Sequence, residues 1–209
     1  MKRLITFGDS FTAGEGLPDT LGQQYTSEER SRYAWPALLG KIINRKTVNK
    51  AVGGYSNKQI WHSVICAKYK PSDIVVIQWT FTERYSVLRK HDLDLCFGSW
   101  STDKTAKYYY KKIYDEYDAY LDYFIRQDHA KKYLDSLNIE NYHINNDCNI
   151  QTKPLWCSVE CLDINLDRER SNFPFAEDGY HPGIKAQEHF ANTIYTLIKK
   201  RRLGRLDIG

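Results

Sequence analysis

The stretch Asp73–Trp79, which reads Asp-Ile-Val-Val-Ile-Gln-Trp, decides the fold class of this chain. Its nearly unbroken apolar run is typical of a central parallel strand, which is covered on both faces and therefore does not alternate with polar residues. Two further strand-like runs lie upstream, at Arg3–Phe7 and around Thr47–Val52, and helix-like runs lie between the three. This alternation predicts an α/β fold, a three-layer α/β/α sandwich with a central parallel sheet.

Helical periodicity marks the segments that surround these strands. Pro36 suits the first turn of a helix with apolar residues at helical spacing. Those apolar residues are Trp35, Leu38, Leu39, Ile42 and Ile43. Ser56 and Gln59 form a capping-box pattern that predicts a helix running towards Tyr69. A last helix is expected from about Gly183 to Lys200. Its predicted inward-facing residues are Ile184, Phe190, Ala191, Ile194, Leu197 and Ile198.

A tyrosine-rich segment around residues 105–137 is also predicted to be helical. Its apolar residues recur at helical spacing, which predicts one long amphipathic helix packed on the core. They are Tyr110, Ile113, Tyr114, Tyr117, Leu121, Phe124 and Ile125. We expect most of these aromatic residues to pack on the core and a minority to face a cleft; a tyrosine-lined ligand surface is the alternative. The stretch Asn145–Arg170 is expected to be irregular.

Composition limits the classes of protein to consider. The chain has 209 residues, 42% hydrophobic and 27% charged, which predicts one globular domain spanning residues 1–209. A net charge of +4 is too small to imply a nucleic-acid partner. No apolar run is long enough for a membrane span. Met1–Phe7 reads as a strand and not as a signal peptide, so we expect a cytoplasmic protein. The oligomeric state stays open.

The cysteines present a choice between a zinc site and free thiols. The five cysteines are an odd number, which argues against a complete disulfide framework. Cys148, Cys157 and Cys161 lie near one another, with His143 upstream. Zinc ligands usually come in tight pairs, and only Cys157 and Cys161 have that spacing. We favour free thiols and expect no metal.

The first candidate for chemistry is Phe7–Phe11, which directly follows the first strand. Gly8 permits a sharp turn, and Ser10 then lies where a strand passes into a helical turn. Unpaired backbone N–H groups at such a position can bind an oxyanion. Ligands in parallel α/β sheets bind at the carboxyl ends of the strands, where this serine falls. A loop serine that caps the next helix is the alternative.

The second candidate lies near the other end of the chain. Asp178 and His181 are three residues apart, so one turn brings the carboxylate to the imidazole. That pairing orients a histidine that removes a proton from a serine hydroxyl. Pro182 marks the start of a helix and holds His181 in an extended conformation.

These blocks resemble those of the SGNH (GDSL-type) hydrolases. Gly8-Asp9-Ser10 resembles the nucleophile block, and Asp178–His181 resembles the block that carries the acid and the base. Asn49–Ser56 resembles the glycine block, in which Gly54 fits best as an oxyanion donor. The resemblance implies a flavodoxin-like SGNH fold and a serine esterase that needs no cofactor. Ser10 would be the nucleophile, and its N–H would join that of Gly54 in the oxyanion hole.

One block departs from the family pattern. After the strand, the family has an asparagine that donates to the oxyanion, and this chain has Thr82 at that place. We expect Thr82, or Arg84 just after it, to fill part of that role. Asp9, Trp79, Arg84 and Tyr180 are candidate substrate contacts. The resemblance implies a small-molecule or carbohydrate ester as substrate, with an acetyl-type acyl group. The alternative function is a weakened or inactive binding module for carbohydrate or a protein partner.

Overall fold

The computed structural model describes residues 2–20, 30–89, 95–146 and 153–206. In chain order its elements are β1 (Arg3–Phe7), α1 (Ser10–Ala13), α2 (Trp35–Ile42), β2 (Lys46–Asn49), α3 (Asn57–Cys66), β3 (Ile74–Trp79), β4 (Tyr85–Val87), β5 (Leu95–Phe97), α4 (Lys104–Lys112), α5 (Glu116–Ser136), β6 (Glu140–Asn145), α6 (Leu166–Arg170) and α7 (Ile184–Leu206). No helix in these ranges is both long and apolar enough to cross a bilayer.

The predicted parallel sheet is confirmed. Its four strands lie in the order β2-β1-β3-β6, and every neighbouring pair is parallel. Ile5 of β1 lies between Val48 of β2 and Val75 of β3. The short strands β4 and β5 form a separate antiparallel pair. Because the chain places β2 on one side of β1 and β3 on the other, the crevice between the carboxyl ends of β1 and β3 is the switch point where such sheets bind ligands.

Alternate residues of the strands enter two apolar clusters, one on each face of the sheet. Leu4 and Val76 pack with α2 and α7, whereas Ile5 and Val75 pack with α3 and α5. All six residues of β3 are buried, as expected for a strand covered on both faces. The predicted α/β/α sandwich is therefore confirmed.

The expected single helix over residues 105–137 is wrong. The chain forms α4 and α5, separated by a break at residues 113–115, and the side chain of Asp115 caps α5 by accepting from the N–H of Asp118 at 3.0 Å. The break changes the helical phase, so the predicted apolar stripe is correct only in part. Phe124 is buried in the core, whereas Ile113, Tyr117 and Ile125 are 62%, 71% and 56% exposed. The buried face of α5 consists of Tyr123, Phe124, Gln127, Asp128, Ala130 and Leu134.

Other predictions hold with shifted boundaries. The capping box at Ser56 is present, although α3 ends at Cys66. The helix α7 continues to Leu206, and its residue Ile184 is 36% exposed, not turned inward. The region expected to be irregular contains the short helix α6. The strand β6, which leads into that region, is not indicated by the sequence.

Candidate active site

The turn after β1 places Ser10 at the carboxyl end of the sheet. Asp9 is the N-cap of α1, and its side chain accepts from the N–H of Phe11 at 3.0 Å. Ser10 is the first residue of this short helix and is 4% exposed. Gly8 is required because a Cβ there would lie 2.5 Å from Thr12 Oγ1 and 2.6 Å from Gln78 Oε1.

Gln78 of β3 fixes this turn from the neighbouring strand. Its Oε1 accepts from the N–H of Asp9 at 3.2 Å and from the hydroxyl of Thr12 at 2.8 Å. All three residues are fully buried. Because buried polar groups are costly to leave unpaired, this network gives the turn one preferred conformation.

The glycine loop after β2 is joined to the same turn. The N–H of Val52 donates to the carbonyl of Gly8 at 3.2 Å. Gly54 has a φ of +74°, in the left-handed region that favours glycine. Within the described part of the chain, no group accepts a hydrogen bond from the backbone N–H of Ser10 or of Gly54. Both N–H groups are therefore available as donors.

The start of α3 is clamped to the end of β3 by one side chain. Asn57 Oδ1 accepts from the N–H of Thr80 at 2.8 Å, and its Nδ2 donates to the carbonyls of Thr80 and Phe81 at 3.0 and 3.2 Å. The loop of residues 80–84 is thus held against the glycine loop, which directly precedes α3.

The structure brings Asp178 and His181 together as the sequence predicted. Asp178 Oδ2 lies 2.5 Å from His181 Nδ1. Asp178 Oδ1 accepts from the N–H groups of Tyr180 and His181 at 2.9 and 3.0 Å. Burial alone would raise the pKa of Asp178, but these hydrogen bonds and the imidazole hold it below its ordinary value. Gly16 permits the close approach, since a Cβ there would lie 2.3 Å from Asp178 Oδ2.

The imidazole of His181 packs against the helix that carries Ser10. Its ring meets the ring of Phe11 edge-on, with 6.0 Å between centroids. The helix α7, which follows His181, is tied to α1 by Gln187. That side chain donates to the carbonyl of Phe11 at 3.2 Å and accepts from the N–H of Trp35 at 2.8 Å. The serine and the histidine therefore lie on neighbouring elements.

Glu15 is a site residue that the sequence did not reveal. Its Oε2 lies 3.4 Å from His181 Nε2, whereas no hydrogen bond joins Ser10 and His181 among the described residues. A Cβ on Gly53 would lie 1.5 Å from Glu15 Oε1, so the carboxylate reaches from the imidazole to the glycine loop. Burial raises the pKa of Glu15, and the carboxylates of Asp9 and Asp178 add to the rise, whereas His181 and Arg84 oppose it.

Two candidate substrate contacts are corrected by burial. Asp9 has no exposed surface; Thr80 Oγ1 donates to it at 2.6 Å, and Arg84 Nη1 lies 3.2 Å away. Trp79 is also fully buried, and its Nε1 donates to His143 Nδ1 at 2.9 Å. Burial lowers the pKa of His143 to about 3, which keeps it a neutral acceptor. Neither Asp9 nor Trp79 is within reach of a ligand.

The remaining candidate site residues, Thr82, Arg84 and Tyr180, lie at two pockets and in one exposed loop. Thr82 lines a pocket of about 150 Å³ with Asn57 and residues of α5. Arg84 lines this pocket and also one of about 570 Å³ beside Gly54 and Trp100. Tyr180 is 75% exposed in the loop that carries Asp178. The role of Thr82 in the oxyanion hole stays a prediction.

The cysteines that the structure describes show no arrangement for a metal. Cys157 is buried and Cys161 half-buried, both as free thiols, while Cys148 lies outside the described residues. In the ranges that the structure covers, no group of three or more His, Cys, Asp or Glu residues could hold a metal ion.

Comparison with known proteins gives a likeness in structure. The sequence matches no family model, and no curated protein matches it. A lipolytic protein of the G-D-S-L family from Desulfitobacterium hafniense superposes with a TM-score of 0.54 at 13% identity, over 93% of this chain and 98% of that one. An acetylxylan esterase from Geobacillus stearothermophilus, solved as a catalytic mutant, gives 0.53 at 14% identity, over 94% and 93%.

A third similar structure is a carbohydrate esterase whose active site has divergent catalytic and non-catalytic binding functions. It gives a TM-score of 0.55 at 13% identity, over 95% of this chain and 65% of that one. At such identities the likeness concerns the fold. The parallel sheet, its two helical layers and these superpositions together show that the chain has the fold of the SGNH (GDSL-type) hydrolases.

Proposed function

We propose that this chain is a serine esterase in which Ser10 is the nucleophile, His181 the general base and Asp178 the residue that orients the base. The observation that carries the proposal is the Asp178–His181 pair, at 2.5 Å, packed against the helix that begins at Ser10. A carboxylate on Nδ1 leaves Nε2 as the nitrogen that exchanges a proton with a serine hydroxyl.

The reaction proceeds through an acyl-enzyme. Ser10 Oγ attacks the ester carbonyl while His181 Nε2 takes the hydroxyl proton, and that proton then leaves with the alcohol. Water attacks the acyl-enzyme next, with His181 again as base, and the acid product and free Ser10 result. Glu15 has to move from Nε2 for this cycle to begin, because it lies 3.4 Å from that atom.

Backbone donors stabilise the oxyanion in this proposal. The N–H groups of Ser10 and Gly54 make no other hydrogen bond to the described residues, and the Val52–Gly8 bond joins their two loops. The hydroxyl of Thr82 is a further candidate donor. Losing one such donor costs about 10²–10³-fold in rate. The efficiency of the enzyme therefore depends on which group is the third donor, beside the two backbone N–H groups.

The proposed substrate is a small ester with an acetyl-type acyl group, and a carbohydrate is the favoured alcohol part. The fold likeness to an acetylxylan esterase favours this class. Trp100, which is 61% exposed beside the larger pocket, supplies an aromatic edge at its rim, and Ser101 and Thr102 supply hydroxyl groups. Such a mixed lining suits a neutral polar ligand better than a long acyl chain.

A binding module is the second candidate function. The contact between Glu15 and His181 Nε2 favours it, because a histidine held by a second carboxylate is not directed at Ser10. On this alternative the chain binds a carbohydrate or a protein partner without turnover.

Hydrolysis of p-nitrophenyl acetate separates the two functions. The native protein is expected to release p-nitrophenol, Ser10→Ala to lose that activity, and Ser171→Ala, which changes an exposed serine outside the site, to keep it. No release by the native protein, or equal release by Ser10→Ala, would reject the esterase proposal. Binding to a glycan array by an inactive protein would then support the alternative.

A further inference from the structure

Arg84 lies between the two loops that carry the backbone donors. Its Nη1 is 3.2 Å from Asp9 Oδ2, and the same atom donates to the carbonyl of Tyr55 at 3.2 Å. Asp9 directly precedes Ser10, and Tyr55 directly follows Gly54. The guanidinium is therefore adjacent to both halves of the expected oxyanion site.

The charge of Arg84 is removed from water. Only 9% of its side chain is exposed. The rings of Phe81 and Trp100 each lie 5.4 Å from its guanidinium carbon. Electrostatic interactions in such a site are stronger than in water, because the surroundings have a low effective dielectric constant.

Most of the donors of Arg84 have no acceptor. A guanidinium carries five N–H donors. Its Nε is buried without a partner, and no described residue accepts from Nη2. The buried Nε–H is costly to leave unpaired and calls for an explanation, which a ligand group supplies. Arg84 also lines the pocket of about 570 Å³ that Gly53 and Gly54 line, so a ligand in that pocket is within its reach.

We propose that Arg84 is a catalytic residue whose guanidinium donates hydrogen bonds to the ester carbonyl oxygen and stabilises the negative charge that develops there. This role rests on the esterase function proposed above. When Ser10 attacks, the carbonyl π electrons move to oxygen, and Arg84 stabilises that oxygen without giving up a proton. The ion pair with Asp9 holds the guanidinium in place, and Trp100 shields it from solvent. Arg84, and not Thr82, then supplies the donor beyond the two backbone N–H groups.

A purely structural role is the competing explanation. The Asp9–Arg84 pair is buried, and removing one partner of such a pair leaves the other charge unpaired and destabilises the protein. A catalytic role and a structural role differ in two readouts: the division of the effect between kcat and KM, and rescue of a truncated side chain by added guanidinium ion.

The test compares Arg84→Gln, Arg84→Lys and Arg84→Ala with Arg3→Gln. Arg3 is a matched control because it also pairs with a fully buried carboxylate, that of Asp73, but at the amino end of β1, away from the site. With p-nitrophenyl acetate, Arg84→Gln is expected to lower kcat by about 10²–10³-fold with little change in KM. Arg84→Lys keeps the charge beside Asp9 but lacks the planar fork, and it is expected to fold and to lose at least about tenfold in kcat.

Added guanidinium ion is expected to raise the kcat of Arg84→Ala at least about tenfold, whereas ammonium ion is expected to have no such effect. If the kcat values of Arg84→Gln and Arg84→Lys match that of Arg3→Gln, the role of Arg84 is overturned while the esterase function stands. A loss that only follows a lowered Tm, without rescue, would overturn it as well. An inactive native protein would reject the esterase function itself, together with this role.

Discussion

The carboxylate of Glu15 lies 3.4 Å from Nε2 of His181, and Asp178 occupies Nδ1 of the same ring at 2.5 Å. The imidazole is thus held between two carboxylates. Gly53 makes this arrangement possible, because any side chain there would collide with Glu15. On the esterase proposal, Glu15 competes with Ser10 for the nitrogen that transfers the proton.

We expect Glu15→Ala to raise kcat/KM for p-nitrophenyl acetate several-fold, because Nε2 is then free to face Ser10. Glu177→Ala, which changes an exposed acid in the loop before Asp178, is the control for the loss of one negative charge. A lower kcat/KM in Glu15→Ala would show that the carboxylate assists the reaction instead.

Glu15 also predicts how stability depends on pH. Burial raises its pKa, so the folded protein binds this proton more tightly than the unfolded chain does. Its contribution to stability is present below the unfolded pKa, about 4.3, and is lost as the pH rises through the folded pKa. We therefore expect Glu15→Gln to have a higher Tm than the native protein at pH 8 and a similar Tm at pH 4. An equal difference at both values would contradict this.

Asp178→Asn is expected to lower kcat by about 10⁴-fold, because an amide does not hold the tautomer of His181 in which Nδ1 carries the hydrogen. Far-UV circular dichroism of the variant should match the native spectrum, since the amide oxygen still accepts from the N–H groups of Tyr180 and His181. A loss of less than about tenfold would remove Asp178 from its proposed role.

Gln187→Leu tests the link between α7 and α1. The change leaves the N–H of Trp35 and the carbonyl of Phe11 unpaired in the core, so we expect a loss of about 2–4 kcal/mol in the free energy of unfolding. Urea denaturation gives this value. Asn192→Leu, on the exposed side of α7, controls for the change of side-chain type. Equal effects of the two variants would contradict the role of the link.

The central strands were predictable because their patterns are local. The apolar run of β3 predicts burial on both faces, and the structure buries all six residues. In contrast, β6 reads Glu-Asn-Tyr-His-Ile-Asn, a polar sequence with no strand pattern. Its polar residues are satisfied by distant partners: His143 accepts from Trp79 Nε1, and Asn145 Oδ1 accepts from Tyr123 and Gln127. No local signal predicts those partners.

The same distinction applies to the candidate site. The spacing of Asp178 and His181 predicts their contact, because they are three positions apart in one turn. The contacts of Glu15 with His181 and of Arg84 with Asp9 join residues far apart in the chain, so only the fold brings them together. The break between α4 and α5 was missed because periodicity alone does not mark a cap such as Asp115.

The location of a covalent adduct tests the central claim most directly. The protein is treated with a fluorophosphonate, digested and analysed by peptide mass spectrometry, beside Ser10→Ala and a heat-denatured sample. The esterase proposal predicts one phosphonyl adduct, on Ser10, that appears only in the folded native protein. No adduct on Ser10, or labelling that persists in Ser10→Ala, would contradict it.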